Sequence, residues 1–421
     1  MDSINREERM LAARNERPAV SLQIPFVEFV GLTAALMALT ALSIDIMLPA
    51  LPQIGSALGV TSENDRQLII ILYMAGFAAG QIFFGPLSDH FGRKPVLLCG
   101  LAIFIAGSLG ALLSGSFTTL LAARLVQGVG AASPRIVAVA VVRDIYSGRQ
   151  MARVMSFAMM VFILIPVLAP SLGQALIHIG NWRSTFFVLL VMASITAVWA
   201  SLRLPETAEQ ALGTKRALNV RASFFAAIFD PLTMAYGVAS GFMFGCLLAY
   251  VASAQQIFVE VFHLGQAFPI VFGAIASAMA IASFVNARLV GRLGMRRVSH
   301  TALAGFTAVS LILLAASADG FASLAVFAVL LASAFFLFGL IAPNFNAIAM
   351  EPQGHNAGMA SSVIGSLSTA IGAFAGGLVG RSFDGTVLPI AAGFAVCSVI
   401  TCAIVIIAEG REDLFGRNRV T

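Results

Sequence analysis

The sequence predicts an all-α membrane protein built from two bundles of six transmembrane helices each. Hydrophobic residues make up 59% of the 421 residues, charged residues make up only 11%, and the mean hydropathy is +0.93. A water-soluble domain normally carries about 25% charged residues. The apolar residues also recur in blocks of about 20, the length at which a helix crosses roughly 30 Å of hydrocarbon.

Twelve apolar blocks follow one another along the chain, and each predicts one transmembrane helix. Their predicted bounds are 26–50, 67–88, 96–115, 118–142, 152–177, 184–204, 230–259, 267–289, 298–317, 321–349, 356–380 and 387–408. Residues 1–25 alternate acidic and basic side chains, unlike a cleavable signal peptide. We therefore expect the N-terminus to stay in the cytoplasm. An even number of spans places the C-terminal tail, residues 409–421, on the same side.

The longest polar stretch separates the sixth and seventh spans. It begins at Pro205 and contains several charged residues up to Arg221. This pattern predicts a cytoplasmic linker over residues 205–229, between an N-terminal bundle at 26–204 and a C-terminal bundle at 230–408.

Basic residues are distributed very unequally between the two sides of the membrane. Of the 25 Lys and Arg residues, 20 fall in tails and segments predicted to be cytoplasmic. Three (Arg66, Arg183, Arg381) fall in predicted outer segments, and Arg124 and Arg135 lie within the fourth span. Cytoplasmic loops of membrane proteins carry such an excess. The net charge of +5 therefore reflects topology and contact with membrane lipid, and we expect no nucleic-acid partner.

A compact charged motif separates the second and third spans. Residues 85–95 read GPLSDHFGRKP and predict a tight turn at the membrane surface. Residues 286–297, six spans later, read NARLVGRLGMRR and keep the Gly and Arg pattern without the Asp. The repeat supports two homologous halves. The residues of the first copy that we expect to act as a conformational latch are Gly85, Asp89, Gly92, Arg93 and Lys94.

One carboxylate lies deep within a predicted span. Nineteen of the 20 acidic residues fall in loops, tails or span ends, whereas Asp45 is flanked by the apolar strings ALSI and IML. A carboxylate exposed to lipid costs several kcal/mol, so Asp45 should face the interior of the bundle. Two interpretations stay open. Asp45 is either a buried group satisfied by a hydroxyl or an arginine, or a group that binds and releases protons, which we favour.

The fourth span supplies a candidate partner for this carboxylate. At about 1.5 Å per residue, Asp45 and Arg124 both lie roughly 8–9 Å below the outer boundary. Arginine is a fixed charge, so its approach and withdrawal would change how firmly Asp45 holds a proton. Arg135 follows eleven residues later, within about 20° of the same helix face. It either extends to the cytoplasmic surface or lines a cavity.

The motifs at these positions resemble those of the major facilitator superfamily of transporters. Residues 85–94 are similar to its G-x-L-[SA]-D-x-x-G-R-[RK] motif between helices 2 and 3, and residues 124–130 resemble its R-x-x-Q-G-x-G signature. The resemblance covers residues 25 to 405. It implies the major facilitator fold, with 12 transmembrane helices in two six-helix bundles, and it implies a role of Arg124 in proton transfer.

Further strings resemble one branch of that superfamily. The fifth span resembles the G-P-x-x-G antiporter signature at Pro166, Ala169, Pro170 and Gly173, although Ala169 replaces the usual Gly. Residues 45–52, DIMLPALP, resemble the end of the first span in the Bcr/CflA group of bicyclomycin and chloramphenicol efflux proteins. Residues 142–146 and 344–358 fit the same group. The resemblance implies an exporter.

Candidate residues for contact with substrate follow from the expected cavity, which should be apolar and aromatic with few polar groups. For each of them, helix packing is an alternative to ligand contact. The candidates are Arg135, Tyr73, Phe77, Gln81, Tyr236, Tyr250, Gln255, Asn344 and Asn346.

We therefore predict a proton-coupled multidrug efflux antiporter in the cell (inner) membrane. It would export small amphipathic compounds, similar to bicyclomycin, phenicols or sulfonamides, by alternating access. We expect a monomer driven by the proton motive force, with no cofactor and no metal. The alternative is a proton-coupled symporter that imports a small metabolite. An enzyme is disfavoured because no catalytic motif such as HExxH or GxSxG occurs.

Overall fold

The structure is a computed structural model that describes residues 24–146, 148–208, 220–320 and 323–413. Within these ranges it consists of helices joined by short turns and contains no strand. The α-helices are α1 (Phe26–Asp45), α2 (Leu51–Ala57), α3 (Leu68–Phe91), α4 (Arg93–Leu112), α5 (Phe117–Ile145), α6 (Gly148–Ile179), α7 (Arg183–Arg203), α8 (Val220–Phe229), α9 (Pro231–Gln255), α10 (Phe268–Leu293), α11 (Met295–Ala318), α12 (Leu324–Met350), α13 (Ala357–Arg381) and α14 (Leu388–Asp413).

The predicted fold class is confirmed. Eleven helical segments in the described ranges are long and apolar enough to cross a membrane, with α1 and α2 forming one of them. The helix α6 occupies the place of the remaining predicted span and is 32 residues long, with an apolar stretch at Leu164–Ile179. Of the predicted linker, the short helix α8 is described, whereas residues 209–219 lie outside the described ranges.

Close backbone contacts hold the N-terminal half together. The carbonyl oxygen of Tyr73 on α3 would lie 2.0 Å from a Cβ placed at Gly128 on α5. In the reverse direction, the carbonyl oxygen of Leu125 would lie 2.1 Å from a Cβ at Gly76. Small residues of this kind let transmembrane helices approach closely. Because α3 and α5 touch backbone to backbone, Tyr73 lies beside Arg124.

Among the described residues, the most extensive contacts between the two halves are made by two helix pairs, α3 with α13 and α6 with α10. Along the first pair, the Ser366 hydroxyl donates to the Ala78 carbonyl oxygen at 2.7 Å, and Gln81 Nε2 donates to Thr369 Oγ1 at 2.8 Å. Along the second pair, Val167 packs against Gly273. Hydroxyl, amide and glycine contacts therefore contribute to this interface.

The first span is interrupted at Asp45. We predicted one helix over residues 26–50, whereas α1 ends at Asp45, a 3-10 turn follows at Leu48–Ala50, and α2 continues to Ala57. Pro49 explains the interruption, because a proline has no N–H to donate and its ring disfavours a helical conformation in the residue before it.

The turn predicted over residues 85–95 is much shorter in the structure. The helix α3 includes Gly85, Pro86 and Asp89 and ends at Phe91, and α4 begins at Arg93. Gly92 alone separates them, with φ +100° and ψ 154°. That backbone conformation favours glycine. The same geometry recurs at Gly294 between α10 and α11, at φ 83° and ψ 158°, which supports the internal repeat.

Candidate transport site

Asp45 lies at the interrupted end of α1 and is 4% exposed. Within the described residues, no hydrogen bond or ion pair joins its carboxylate to Arg124. The turn at Leu48–Ala50, just after Asp45, contacts α6 and α9, one helix from each half of the protein. The structure therefore places the carboxylate in the interior, between the halves and away from lipid.

Arg124 is completely buried and binds three different elements. Its Nη2 donates to the carbonyl oxygen of Ser43, two residues before Asp45, at 3.1 Å. Its Nε donates to the carbonyl oxygen of Ile69 at 3.1 Å, and its Nη1 donates to Gln127 Oε1 at 2.5 Å. The guanidinium carbon also lies 4.3 Å from the centre of the Tyr73 ring. The planar fork of arginine suits such divergent contacts.

A cavity of about 410 Å³ lies between the two halves at the end of the protein that carries Arg93, Arg143 and Arg296, here called the basic end. Six of the predicted site residues line it, namely Gln81, Gly85, Asp89, Arg93, Arg135 and Asn346. The guanidinium carbon of Arg135 lies 5.6 Å from the centre of the Phe77 ring. The cavity is large enough for a drug-sized molecule.

Other predicted contact residues are packed away from this cavity. Tyr250 stacks on Phe272, with 5.0 Å between ring centres, and Asn344 donates to Asn286 Oδ1 at 2.7 Å. Tyr236 donates to Glu409 Oε1 at 2.8 Å. The remaining members of this group are the buried residues Tyr73, Phe77 and Gln255. None of these side chains lines the cavity in this structure, and their contact with substrate stays a prediction.

Sequence reasoning missed a row of hydroxyl groups on α13 and a further arginine. These cavity-lining residues are Arg143, Ser361, Ser362, Ser368 and Thr369. Ser361 and Ser368, like Ser362 and Thr369, are seven positions or about two helical turns apart, so each pair lies on one face of the helix. That spacing was the signal available in the sequence.

Charged contacts surround the short turn at the basic end. Arg93 forms an ion pair with Asp89, and its Nε donates to Asp144 Oδ2 at 2.8 Å. The Glu206 carboxylate accepts hydrogen bonds from the backbone N–H groups of Arg93 and Lys94, at 2.8 and 3.1 Å. Negative charge is favourable at a helix N-terminus. Glu206, which the sequence did not indicate, therefore fixes the start of α4.

The residues of the antiporter signature lie on α6, beside the interruption of the first span. Pro166 and Pro170 are inside this helix, and Ala169 is 2% exposed. A Cβ placed at Gly173 would lie 2.0 Å from the carbonyl oxygen of Ile46, the residue after Asp45. Because Val167 touches α10, one helix connects the region of Asp45 to the C-terminal half.

Contacts between the halves close the end opposite to the basic end. Asn64 Nδ2 donates to the carbonyl oxygens of Arg381 and Phe383, at 2.9 and 2.8 Å. Gln256 Nε2 donates to Asn64 Oδ1 at 3.0 Å and its amide oxygen accepts from Gln67. These contacts, with an ion pair of Arg381 to Asp65 at 2.9 Å, form what we call the outer seal.

Comparison with known proteins identifies the family. The sequence profile described as the Major Facilitator Superfamily matches residues 33–377. The chain belongs to this superfamily. Superfamily membership confirms that it is a membrane transporter and not an enzyme, and it confirms the resemblance found in the sequence motifs.

Relatives within the superfamily include proteins named for drug resistance. The chain is 31% identical over 385 residues to a bicyclomycin resistance protein homolog of Haemophilus influenzae, covering 89% of this chain and 94% of the relative. It is 30% identical over 376 residues to the MFS-type transporter YdgK of Bacillus subtilis, with 88% and 92% covered. A chloramphenicol resistance protein of Pseudomonas aeruginosa is 32% identical over 259 residues, with 61% and 59% covered.

Solved structures of the superfamily share the fold. A partially occluded, inward-open xylose transporter XylE from E. coli superimposes with a TM-score of 0.70 at 12% identity, covering 93% of this chain and 99% of that one. The human organic anion transporter MFSD10 gives a TM-score of 0.64 at 20% identity, with 91% and 99% covered.

Proposed function

We propose that this superfamily member is a proton-coupled antiporter that exports small amphipathic compounds by alternating access. Relatives named for bicyclomycin and chloramphenicol resistance support an exporter of such compounds. The unequal distribution of arginines supports placing the basic end and both termini in the cytoplasm. In that orientation, the cavity opens inward and the outer seal is closed.

The placement of Asp45 carries the proposal. Its carboxylate is buried at the interrupted end of the first span, where α1, α6 and the fully buried Arg124 meet. A carboxylate is neutral when it holds a proton and charged when it loses one, and the charged form is costly in a dry interior. Proton binding would therefore favour the conformation that buries Asp45, and proton release would favour the one that exposes it.

The test is transport by the purified protein in proteoliposomes under an imposed proton gradient, with radiolabelled chloramphenicol and sulfathiazole as probes. We expect Asp45→Asn to lose accumulation against a gradient while still binding the probe. Asp319→Asn is the matched control, because Asp319 is an exposed carboxylate just after α11. Uphill transport by Asp45→Asn at the rate of the native protein refutes proton coupling at this residue. Proton-driven movement of the probes in the opposite direction favours the symporter.

A further inference from the structure

Polar side chains line the cavity at two separate levels, and the helix α13 contributes to both. Two pairs of hydroxyl residues line the cavity from this helix, Ser361 with Ser368 and Ser362 with Thr369. At about 1.5 Å per residue, the second member of each pair lies roughly 10 Å deeper than the first, measured from the basic end. Between the two pairs, α13 lines the cavity with the apolar side chain of Ile364.

The first level lies near the basic end, and we call it the entrance level. Asn346 on α12 and Ser361 on α13 both lie four residues, or about 6 Å, from the ends of their helices at the basic end. Both residues are exposed in the cavity, and neither side chain forms a hydrogen bond with another described residue. The charged lining residues Asp89, Arg93 and Arg143 lie still closer to that end. An amide and a hydroxyl group can each donate and accept, so this level can bind one polar group of a compound.

The second level, called the deep level, contains Ser240 of α9 and Ser368 of α13. Ser368 donates to the carbonyl oxygen of Gly237 at 2.9 Å, one turn of α9 before Ser240, so the two hydroxyl groups lie at a similar depth. The Oγ atom of Ser240 is buried and has no hydrogen-bond partner among the described residues, although a buried hydroxyl normally has one. Its side chain can turn toward a bound compound without losing a hydrogen bond. Gln81 and Thr369, joined at 2.8 Å, lie at the same level.

The wall between the two levels is apolar. It contains Val139 of α5, Ala342 and Phe345 of α12, and Ile364 of α13. Arg135 of α5 lies beyond this wall, at the deep level. Apolar side chains offer no hydrogen bond, and burying a polar group without a partner is costly. A compound that fits the cavity should therefore carry its polar groups at its two ends and an apolar segment between them.

We infer that the cavity selects elongated compounds that carry one hydrogen-bonding group at each end, separated by an apolar segment of about 10 Å. One end binds Asn346 and Ser361, and the other end binds Ser240 and Ser368. This inference rests on the proposed function, because it assigns the shape and polarity of the exported compound. A compound of the same composition with both polar groups at one end leaves one level without a partner.

Equilibrium binding to the full chain in nanodiscs tests the inference without requiring transport. The probes are two isomeric phenols that are uncharged at neutral pH, 4,4′-dihydroxybiphenyl with one hydroxyl group at each end and 3,5-dihydroxybiphenyl with both on one ring. Equilibrium dialysis against nanodiscs with and without the protein measures how much of each isomer the protein binds. One additional hydrogen bond should make the 4,4′ isomer bind about 2- to 10-fold more tightly than the 3,5 isomer.

Substitutions locate the preference. Asn346→Leu combined with Ser361→Ala removes hydrogen-bonding groups from the entrance level, and Ser240→Ala combined with Ser368→Ala removes them from the deep level. Each double variant should bind the two isomers with nearly equal affinity, because one end of the 4,4′ isomer loses its partners. Ser333→Ala is the matched control and should keep the preference, because Ser333 lies on α12 but does not line the cavity.

Equal binding of the two isomers by the native protein, tighter binding of the 3,5 isomer, or no binding of either overturns the inference. A preference that either double variant retains in full, or that Ser333→Ala abolishes, also overturns it. The proposed function fails separately, because it is judged by proton-driven transport in the native protein and in Asp45→Asn. A protein that prefers the 4,4′ isomer but shows no proton coupling retains this selectivity and loses the proposed mechanism.

Discussion

The contact between Gly173 and Ile46 offers a sharp test of how α6 acts on the first span. Gly173→Ala would place a Cβ 2.0 Å from the Ile46 carbonyl oxygen and 2.9 Å from its carbonyl carbon. Ordinary van der Waals contact begins at 3.4 Å, so α6 must move away from the Ile46 carbonyl by about 1.4 Å. The clash is between a methyl group and backbone atoms, so no flexible side chain can move to relieve it.

The expected magnitude follows from this displacement. Overpacking in a well-packed interior costs about 1–3 kcal/mol, which changes a conformational equilibrium by about 5- to 150-fold. The penalty applies in the conformation described above, in which the outer seal is closed. We therefore expect Gly173→Ala to populate the outward-open conformation and to lower the rate of export.

The assay is the distance between spin labels at Thr61 and Ser382, which are exposed residues on opposite sides of the outer seal. Gly31→Ala on α1 is the matched control, because its Cβ would lie 3.3 Å from a ring atom of Trp199. A distance distribution and export rate in Gly173→Ala equal to those of Gly31→Ala would show that this contact does not couple α6 to the first span.

Three further substitutions test the contacts around the transport site. Arg124→Lys keeps the charge but loses the planar guanidinium group and two of its hydrogen bonds. At about 1.5–3 kcal/mol for each bond, the free energy of unfolding in detergent should fall by about 3–6 kcal/mol. An unfolding free energy equal to that of the native protein would contradict this role of the guanidinium group. Glu206→Gln removes negative charge from the start of α4 and should lower the free energy of unfolding by about 0.3–1 kcal/mol in the same measurement. An unchanged free energy would show that water already satisfies those N–H groups. Asn64→Ala removes three hydrogen bonds of the outer seal, together worth about 1.5–4.5 kcal/mol, and should lengthen the distance between labels at Thr61 and Ser382. An unchanged distance would show that the seal does not depend on Asn64.

Much of the fold could be predicted from the sequence, because crossing a bilayer requires long apolar helices and the arginines mark one side. The ends of elements were less predictable. Pro86 suggested a turn, yet a proline inside a membrane helix is tolerated where neighbouring groups satisfy the freed carbonyl, and α3 continues through it. Pro49, by contrast, does coincide with an interruption.

The buried charged residues of the candidate site could be predicted from the sequence, whereas the contacts that depend on packing between distant segments could not. Asp45 and Arg124 stand out because charged residues are rare within spans. The partners of Arg124 include backbone carbonyls of Ser43 and Ile69, which carry no sequence signal. Gln256 is an ordinary polar residue in the sequence, and only the docking of the two halves brings it to Asn64.

The cavity and Asp45 occupy different levels of the protein, and this separation has an energetic consequence. Arg124, which binds the chain beside Asp45, is eleven residues from Arg135 in the cavity wall, or about 16 Å along α5. Under the proposed function, a proton at Asp45 and a compound in the cavity would not compete for one set of atoms, so the bound proton would not itself expel the compound. Exchange then depends on how strongly each ligand biases the same conformational equilibrium. In a proton-coupled exporter, any loss of that bias would let the protein cycle with one ligand alone. Such slippage would dissipate the gradient as heat and lower the number of molecules exported per proton.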